Sequence, residues 1–202
     1  VSAIKRKERL MKYGYLILCV SLSLFVAGCA NPLNRATSDR YSQTCAEAEE
    51  RGNMKVAAEA CYRAYVNVEW GNLGPEIRSE KLYNFGRVLR KAGRYDDARE
   101  ALTRAIAEEE KLSGRNSQKS GRRIAELAAT YIELNQQDQG LGLVDELIPI
   151  ADGYSPGEKQ FIAALLYYYR QHLGNLHPEK SAAYKAKMKD LGYSEDYFEK
   201  QR

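Results

Sequence analysis

Gly52, Ala57 and Ala64 recur 41 positions later as Gly93, Ala98 and Ala105. Moving Ala98, Leu102 and Ala105 on by 42 gives Gly140, Val144 and Leu147, again a small residue and then apolar ones. A chain whose small and apolar residues return at such a period folds as stacked copies of one unit, each covering its neighbour's apolar face. The clearest copy runs from Leu82 to Ile106. Its apolar residues fall at helical spacing on both sides of Gly93-Arg94, which predicts two amphipathic helices joined by a tight turn. Gly86 and Ala98 are small where antiparallel helices must approach, and Phe85, Leu89, Leu102 and Ile106 fill the space around them.

This unit resembles a tetratricopeptide (TPR) repeat. Leu82 stands where the family usually has Trp, Phe85-Gly86 match its large–small pair, and Leu89 takes its Tyr place. Ala98, Leu102 and Ala105 match its second helix. The usual closing Pro is missing, so the second helix is expected to run on through Glu108–Lys111. In the third unit Leu127-Ala128 and Tyr131 supply the first-helix pattern. The 41–42-residue spacing resembles the extended repeats of the kinesin light chain type. A more degenerate fourth pair opens at Ser155-Pro156-Gly157-Glu158, with Ser155 as cap and Glu158 reaching back. It is expected to run to about Leu173, with Pro178 opening a last helix through Met188. The resemblance implies an all-α, short right-handed helical-hairpin solenoid of about three to four pairs over residues 40–192. Residues 193–202 are expected to form a short helix, capped by Ser194, and a tail.

The N-terminus carries an address. Lys5, Arg6, Lys7, Arg9 and Lys12 face only Glu8, so residues 1–28 hold a charge equal to the +4 of the whole chain, and the remainder balances. Attraction of the whole protein to nucleic acid thereby loses its main support. The uncharged, mostly apolar run Tyr13–Val26 is shorter than the roughly 20 residues of a spanning helix. A basic start, a short apolar run and small closing residues describe an export signal. Val26-Ala27-Gly28-Cys29 resembles the lipobox of bacterial lipoproteins, which implies cleavage after Gly28 and a diacylglycerol on Cys29. A plain secretory signal or a membrane anchor is the alternative. Met11 to Gly28 is an ordinary leader length, so Met11 rather than Val1 is a candidate start. Ala30, not Asp, follows the acylated Cys, which in the family's sorting pattern favours the outer membrane, facing the periplasm. Residues 29–39, polar and carrying Pro32, read as a tether.

With Cys19 in the leader and Cys29 acylated, Cys45 and Cys61 remain. Shifted by 41 they are the equivalents of Gly86 and Leu102, which face each other across the hairpin. In an exported protein this predicts a Cys45–Cys61 disulfide pinning the first hairpin, worth about 3 kcal/mol in the chain-entropy model. A redox-active pair is disfavoured by the spacing of 16. Buried free thiols are the remaining alternative.

No catalytic constellation emerges. His172 and His177 flank a loop without a Cys or carboxylate between them, so no metal site is expected. Glu108-Glu109-Glu110 and Glu47, Glu49 and Glu50 read as acidic runs on helix surfaces. No cofactor beyond the lipid and no small-molecule substrate is implied. In arrays of this type the first helices line a concave face that receives peptides. There Arg87, Arg90 and Lys91, beside Tyr83 and Asn84, form a basic stripe continued by Arg122 and Arg123. The family resemblance implies that Asn84 and Arg87 could grip a partner's carboxylate, since a guanidinium binds one bidentately. The alternative is a solvated stripe paired with nearby acids. Repeat lipoproteins of this kind are known as pilus or secretin assembly factors and as adaptors for cell-wall hydrolases. The expectation is therefore a lipid-anchored adaptor for a protein or peptide. A structural subunit packing through its convex face is the rival, and an enzyme ranks last.

Overall fold

The computed structural model describes residues 30–173 and 177–200. The leader and Cys29 lie outside the described residues. Among these residues the chain forms nine α-helices and no strand: α1 (Pro32–Glu50), α2 (Met54–Gly71), α3 (Pro75–Lys91), α4 (Tyr95–Ser113), α5 (Gln118–Glu133), α6 (Gln137–Leu147), α7 (Pro156–Leu173), α8 (Pro178–Asp190) and α9 (Glu195–Glu199). Each of α1–α2, α3–α4, α5–α6 and α7–α8 packs as a pair. The pairs stack through α2 on α3, α4 on α5 and α5 on α7, which makes an all-α array of four hairpins.

The repeat period is written in the turns. Gly52, Gly93 and Asn135 adopt φ of 73°, 74° and 56°, the left-handed conformation that reverses the chain after a helix. In each case the next amide reaches five residues back: Asn53 to the Ala48 carbonyl, Arg94 to Leu89 and Gln136 to Tyr131, at 2.8–2.9 Å. These bonds satisfy carbonyls that a helix end otherwise leaves unpaired. Asn135 takes the glycine's role in the third unit because its short polar side chain tolerates φ > 0 better than most.

Within each hairpin the packing positions also repeat. A Cβ on Gly86 would lie 2.8 Å from Leu102 Cγ, so these helices touch where a side chain on α3 would separate them. In the first hairpin the same two positions are Cys45 and Cys61, whose sulfurs are bonded to each other. A Cβ on Gly140 would meet the Tyr169 hydroxyl at 1.7 Å and the Ala128 carbonyl at 3.1 Å. That hydroxyl is fixed, donating to the same carbonyl at 2.7 Å. Ser38, Ser79 and Ser120, also 41 apart, are all fully buried. Ser38 donates to the Ala64 carbonyl at 2.9 Å, tying α1 to α2.

The first helix corrects the expected tether and with it the domain start at residue 40. Residues 32–39 are helical, with Asn31 as cap accepting from the Leu33 amide at 3.0 Å and Pro32 in the first turn. Pro there loses no hydrogen bond, because a first-turn amide has no helical partner. The same Pro that reads as a helix breaker is a helix starter here. At the other end, Ser194 caps α9 by accepting from the Tyr197 amide. Buried Phe198 joins the core beside Tyr167 and Tyr193, so α9 is packed. Glu158 does not reach back to its helix start and instead faces Arg122 at 3.3 Å.

Two glycine substitutions separate the two roles of glycine. Gly93→Ala meets no atom within 4 Å and is expected to cost only the strain of its positive φ, about 1 kcal/mol. Gly140→Ala has an ordinary φ but no room, and is expected to cost about 2 kcal/mol or more by forcing α6 from α5 and Tyr169. Urea unfolding of both variants decides the ranking, and the reverse order would contradict the close-packing account.

Candidate functional site

The first helices of successive units touch, α3 against α5 and α5 against α7. Their shared face forms a cleft of about 420 Å³ lined by Tyr83, Asn84, Arg87, Arg90 and Lys91 of α3, Arg122 and Glu126 of α5, and Phe161 of α7. The structure thus gathers Tyr83, Asn84, Arg87, Arg90, Lys91 and Arg122, the partner-binding candidates, on one surface, while Arg123, expected to continue the stripe, is buried. A second hollow of about 260 Å³ adjoins it. Its walls are Ala125, Ala129, Phe161, Ala164, Leu165 and the Tyr168 ring, with Arg90, Glu126 and Glu133 at the edge.

The stripe's cations all have carboxylate partners, most of them on a neighbouring unit. Glu49 at the end of α1 accepts both Arg87 guanidinium nitrogens, one at 2.6 Å, and the Lys91 ammonium at 2.6 Å. Arg90 Nε donates to Glu126 across the α3–α5 seam at 2.7 Å. Arg122 faces Glu158 of α7 and lies over the Phe161 ring, 5.0 Å from its centroid. Buried Arg123 contacts Glu109 at 2.9 Å and lies over the Tyr83 ring, 5.1 Å from its centroid. Further along, the Tyr168 hydroxyl donates to Glu133. The stripe is therefore closer to the internally paired alternative than to an empty clamp.

Two of these acids correct the expected surface runs. Glu109 is buried and accepts from Ser79 at 2.8 Å and Ser113 at 2.7 Å besides its contact with Arg123. Burial alone would raise its carboxyl pKa, but these hydrogen bonds and the Arg123 charge outweigh it and hold the pKa below the usual range. Burial likewise opposes ionisation of Glu49, yet Arg87 and Lys91 bring its pKa down from 4.5 to about 2. Tyr83 is the converse case: burial, with the Glu126 charge, pushes its phenol up to about 12, so it stays neutral under its cationic neighbours.

Sequence reasoning missed Glu126, Phe161 and Tyr168 as groove residues, and Glu49 as the partner of Arg87 and Lys91. A signal existed for Glu126, a lone charge within Ile124-Ala125-Glu126-Leu127-Ala128, where burial demands a cation. Glu49 also stands 41 residues before Arg90, so one repeat position carries opposite charges in adjacent units. His172 and His177 line a separate polar hollow with Asn135, Gln136 and Asp138. His172 Nδ1 lies 2.8 Å from the Tyr168 carbonyl. Among the described residues, no group of three or more His, Cys, Asp or Glu side chains is arranged to hold a metal ion.

Glu49 and Glu109 ionise more readily in the fold than in the unfolded chain. Their contribution to stability is complete above the unfolded carboxylate range and is lost as pH falls through the folded values. Thermal unfolding midpoints are expected to drop between pH 4.5 and about 2, with Glu49→Gln flattening part of the drop. A Glu49→Gln profile parallel to wild type over that window would contradict the assignment.

No protein-family model matches the chain, and none of the curated proteins does. Solved structures do. A kinesin light chain-like protein of nearly identical TPR-like repeats from Podosopora anserina superposes with a TM-score of 0.61 at 14% identity, over 77% of this chain and 74% of that one. A singly substituted form of that protein gives 0.62 at 15% identity, over 76% and 74%. BtubC (BKLC) from P. vanneervenii gives 0.54 at 12% identity, over 78% and 73%. At these identities the likeness concerns fold alone, and the fold is that of a TPR-like helical-hairpin solenoid.

Proposed function

We propose that this protein is a lipid-anchored adaptor of the bacterial cell envelope, held at the outer membrane facing the periplasm, that binds a protein or peptide segment in its concave groove. The observation that carries the binding reading is the groove, a preformed surface with an apolar floor at Phe161, Ala164, Leu165 and Tyr168 beside charged walls. Such a surface takes an extended segment by seating an apolar side chain and pairing its polar groups at the rim. Arg87 and Arg90 already hold Glu49 and Glu126, so a ligand carboxylate competes with a resident partner there. Arg122 and Lys91, the more exposed of these cations, are the positions from which charge reaches a ligand first.

The anchoring half rests on Val26-Ala27-Gly28-Cys29. Each buried CH₂ contributes about 0.8 kcal/mol, and two or three acyl chains hold a protein stably at a membrane. Confinement to that surface raises the effective concentration of the groove for any membrane-associated partner. Assistance in pilus or secretin assembly, or to a cell-wall enzyme, is the system-level role that fits such an adaptor.

A photo-crosslinking residue at Ala164, compared with one at Val56 on a second helix, tests the reading in native envelopes. A discrete partner is expected from position 164 and its loss when Arg122→Glu is added. Crosslinking from position 56 alone would move the interface to the convex face and favour the structural-subunit reading.

A further inference from the structure

The first hairpin carries two large apolar side chains that the fold leaves in water. Trp70, at the end of α2, is 77% exposed, and Leu33, at the start of α1, is 76% exposed. They lie at the same end of the molecule. The Asn31 amide donates to the Gly71 carbonyl at 2.9 Å, and a Cβ on Gly71 would come within 2.5 Å of Asn34 Cβ. The start of α1 is thus clamped against the residue that follows Trp70.

This clamp fixes where any lipid on Cys29 must be. Asn31 follows Cys29 by two positions, and an extended chain covers at most about 7 Å over that interval. A bilayer holding acyl chains on Cys29 therefore lies against the end of the hairpin that displays Trp70 and Leu33. We infer that Trp70 and Leu33 enter the membrane interface beside the acylated N-terminus and set the orientation of the protein on the bilayer. This inference rests on the acylation of Cys29 proposed above.

The chemistry of this end suits a lipid surface. An indole combines an apolar ring with one N–H donor, which is why tryptophan favours the headgroup level. Around it stand uncharged amides: Asn31, Asn34, Asn67 and Asn72. Arg35 pairs with Asp39 at 3.3 Å, and Glu69 lies 3.6 Å from Arg78, which also holds Glu108 at 2.7 Å.

Trp70 is the sole tryptophan of the chain, so its fluorescence reports this contact alone. The full acylated protein is placed on vesicles of phosphatidylethanolamine and phosphatidylglycerol, with and without brominated acyl chains, after mass spectrometry of Cys29. The expected result is emission at shorter wavelength, quenching by brominated lipid and protection from acrylamide, all absent in Cys29→Ser. Acylated, vesicle-bound protein whose Trp70 stays open to acrylamide and untouched by bromine overturns the inference while leaving the anchor intact. A Cys29 that carries no lipid in its native envelope overturns the anchor, and the inference with it.

Discussion

The structure depends on how closely two antiparallel helices approach within each hairpin. At the equivalent positions Cys45–Cys61 and Gly86–Leu102, a small or bonded contact lets the helices meet without an intervening side chain. Ala128, in the first helix of the third unit, presents its carbonyl to Gly140 in the same close approach. Close packing of this kind removes apolar surface from water over the length of both helices and tolerates little added volume. The hairpin then becomes a rigid block, and the left-handed turns at Gly52, Gly93 and Asn135 fix its reversal. The first block, which among the described residues has a neighbouring hairpin on one side only, carries the covalent bond in place of the Gly–Leu contact.

Rigid blocks still have to be held in register with one another, and here charge adds to apolar packing. Glu49 joins the first unit to the second, Arg90–Glu126 the second to the third, and Arg122–Glu158 the third to the fourth. Arg123–Glu109 repeats the device in the interior, between α4 and α5. Glu126 is only 3% exposed, and a buried carboxylate without its guanidinium is strongly unfavourable. The groove is consequently preformed and nearly neutral. A segment docking there meets fixed apolar floor and fixed ion pairs, and little conformational order is left to be imposed on binding.

Much of this was legible because helix pairing and repetition both leave marks in composition. The Gly93-Arg94 turn, the small residues at Gly86 and Ala98, and the recurrence at 41 and 42 positions lead directly to the solenoid and to the facing of Cys45 and Cys61. The cations of the groove were legible as a stripe, because helical spacing puts Arg87, Arg90 and Lys91 together. Their partners were not, because Glu49 and Glu126 lie 38 and 36 residues from Arg87 and Arg90, and pair choice across units depends on superhelical geometry. The start of α1 was misread for a local reason. Pro32 and the asparagines around it signal loop when counted, and cap and first turn when placed at a helix start. Trp70 left no pattern at all, since it stands outside both the repeat and the stripe.

Charge pairs between units lock the groove, and a double-mutant cycle on Arg90 and Glu126 tests this most directly. Unfolding free energies of Arg90→Met, Glu126→Gln and the double variant give the coupling between the two side chains. Each single variant is expected to lose about 2 kcal/mol or more, and the double variant to be far less destabilised than their sum. Additive losses would mean that the two units are held by apolar packing alone and that the pair is a bystander on the groove wall.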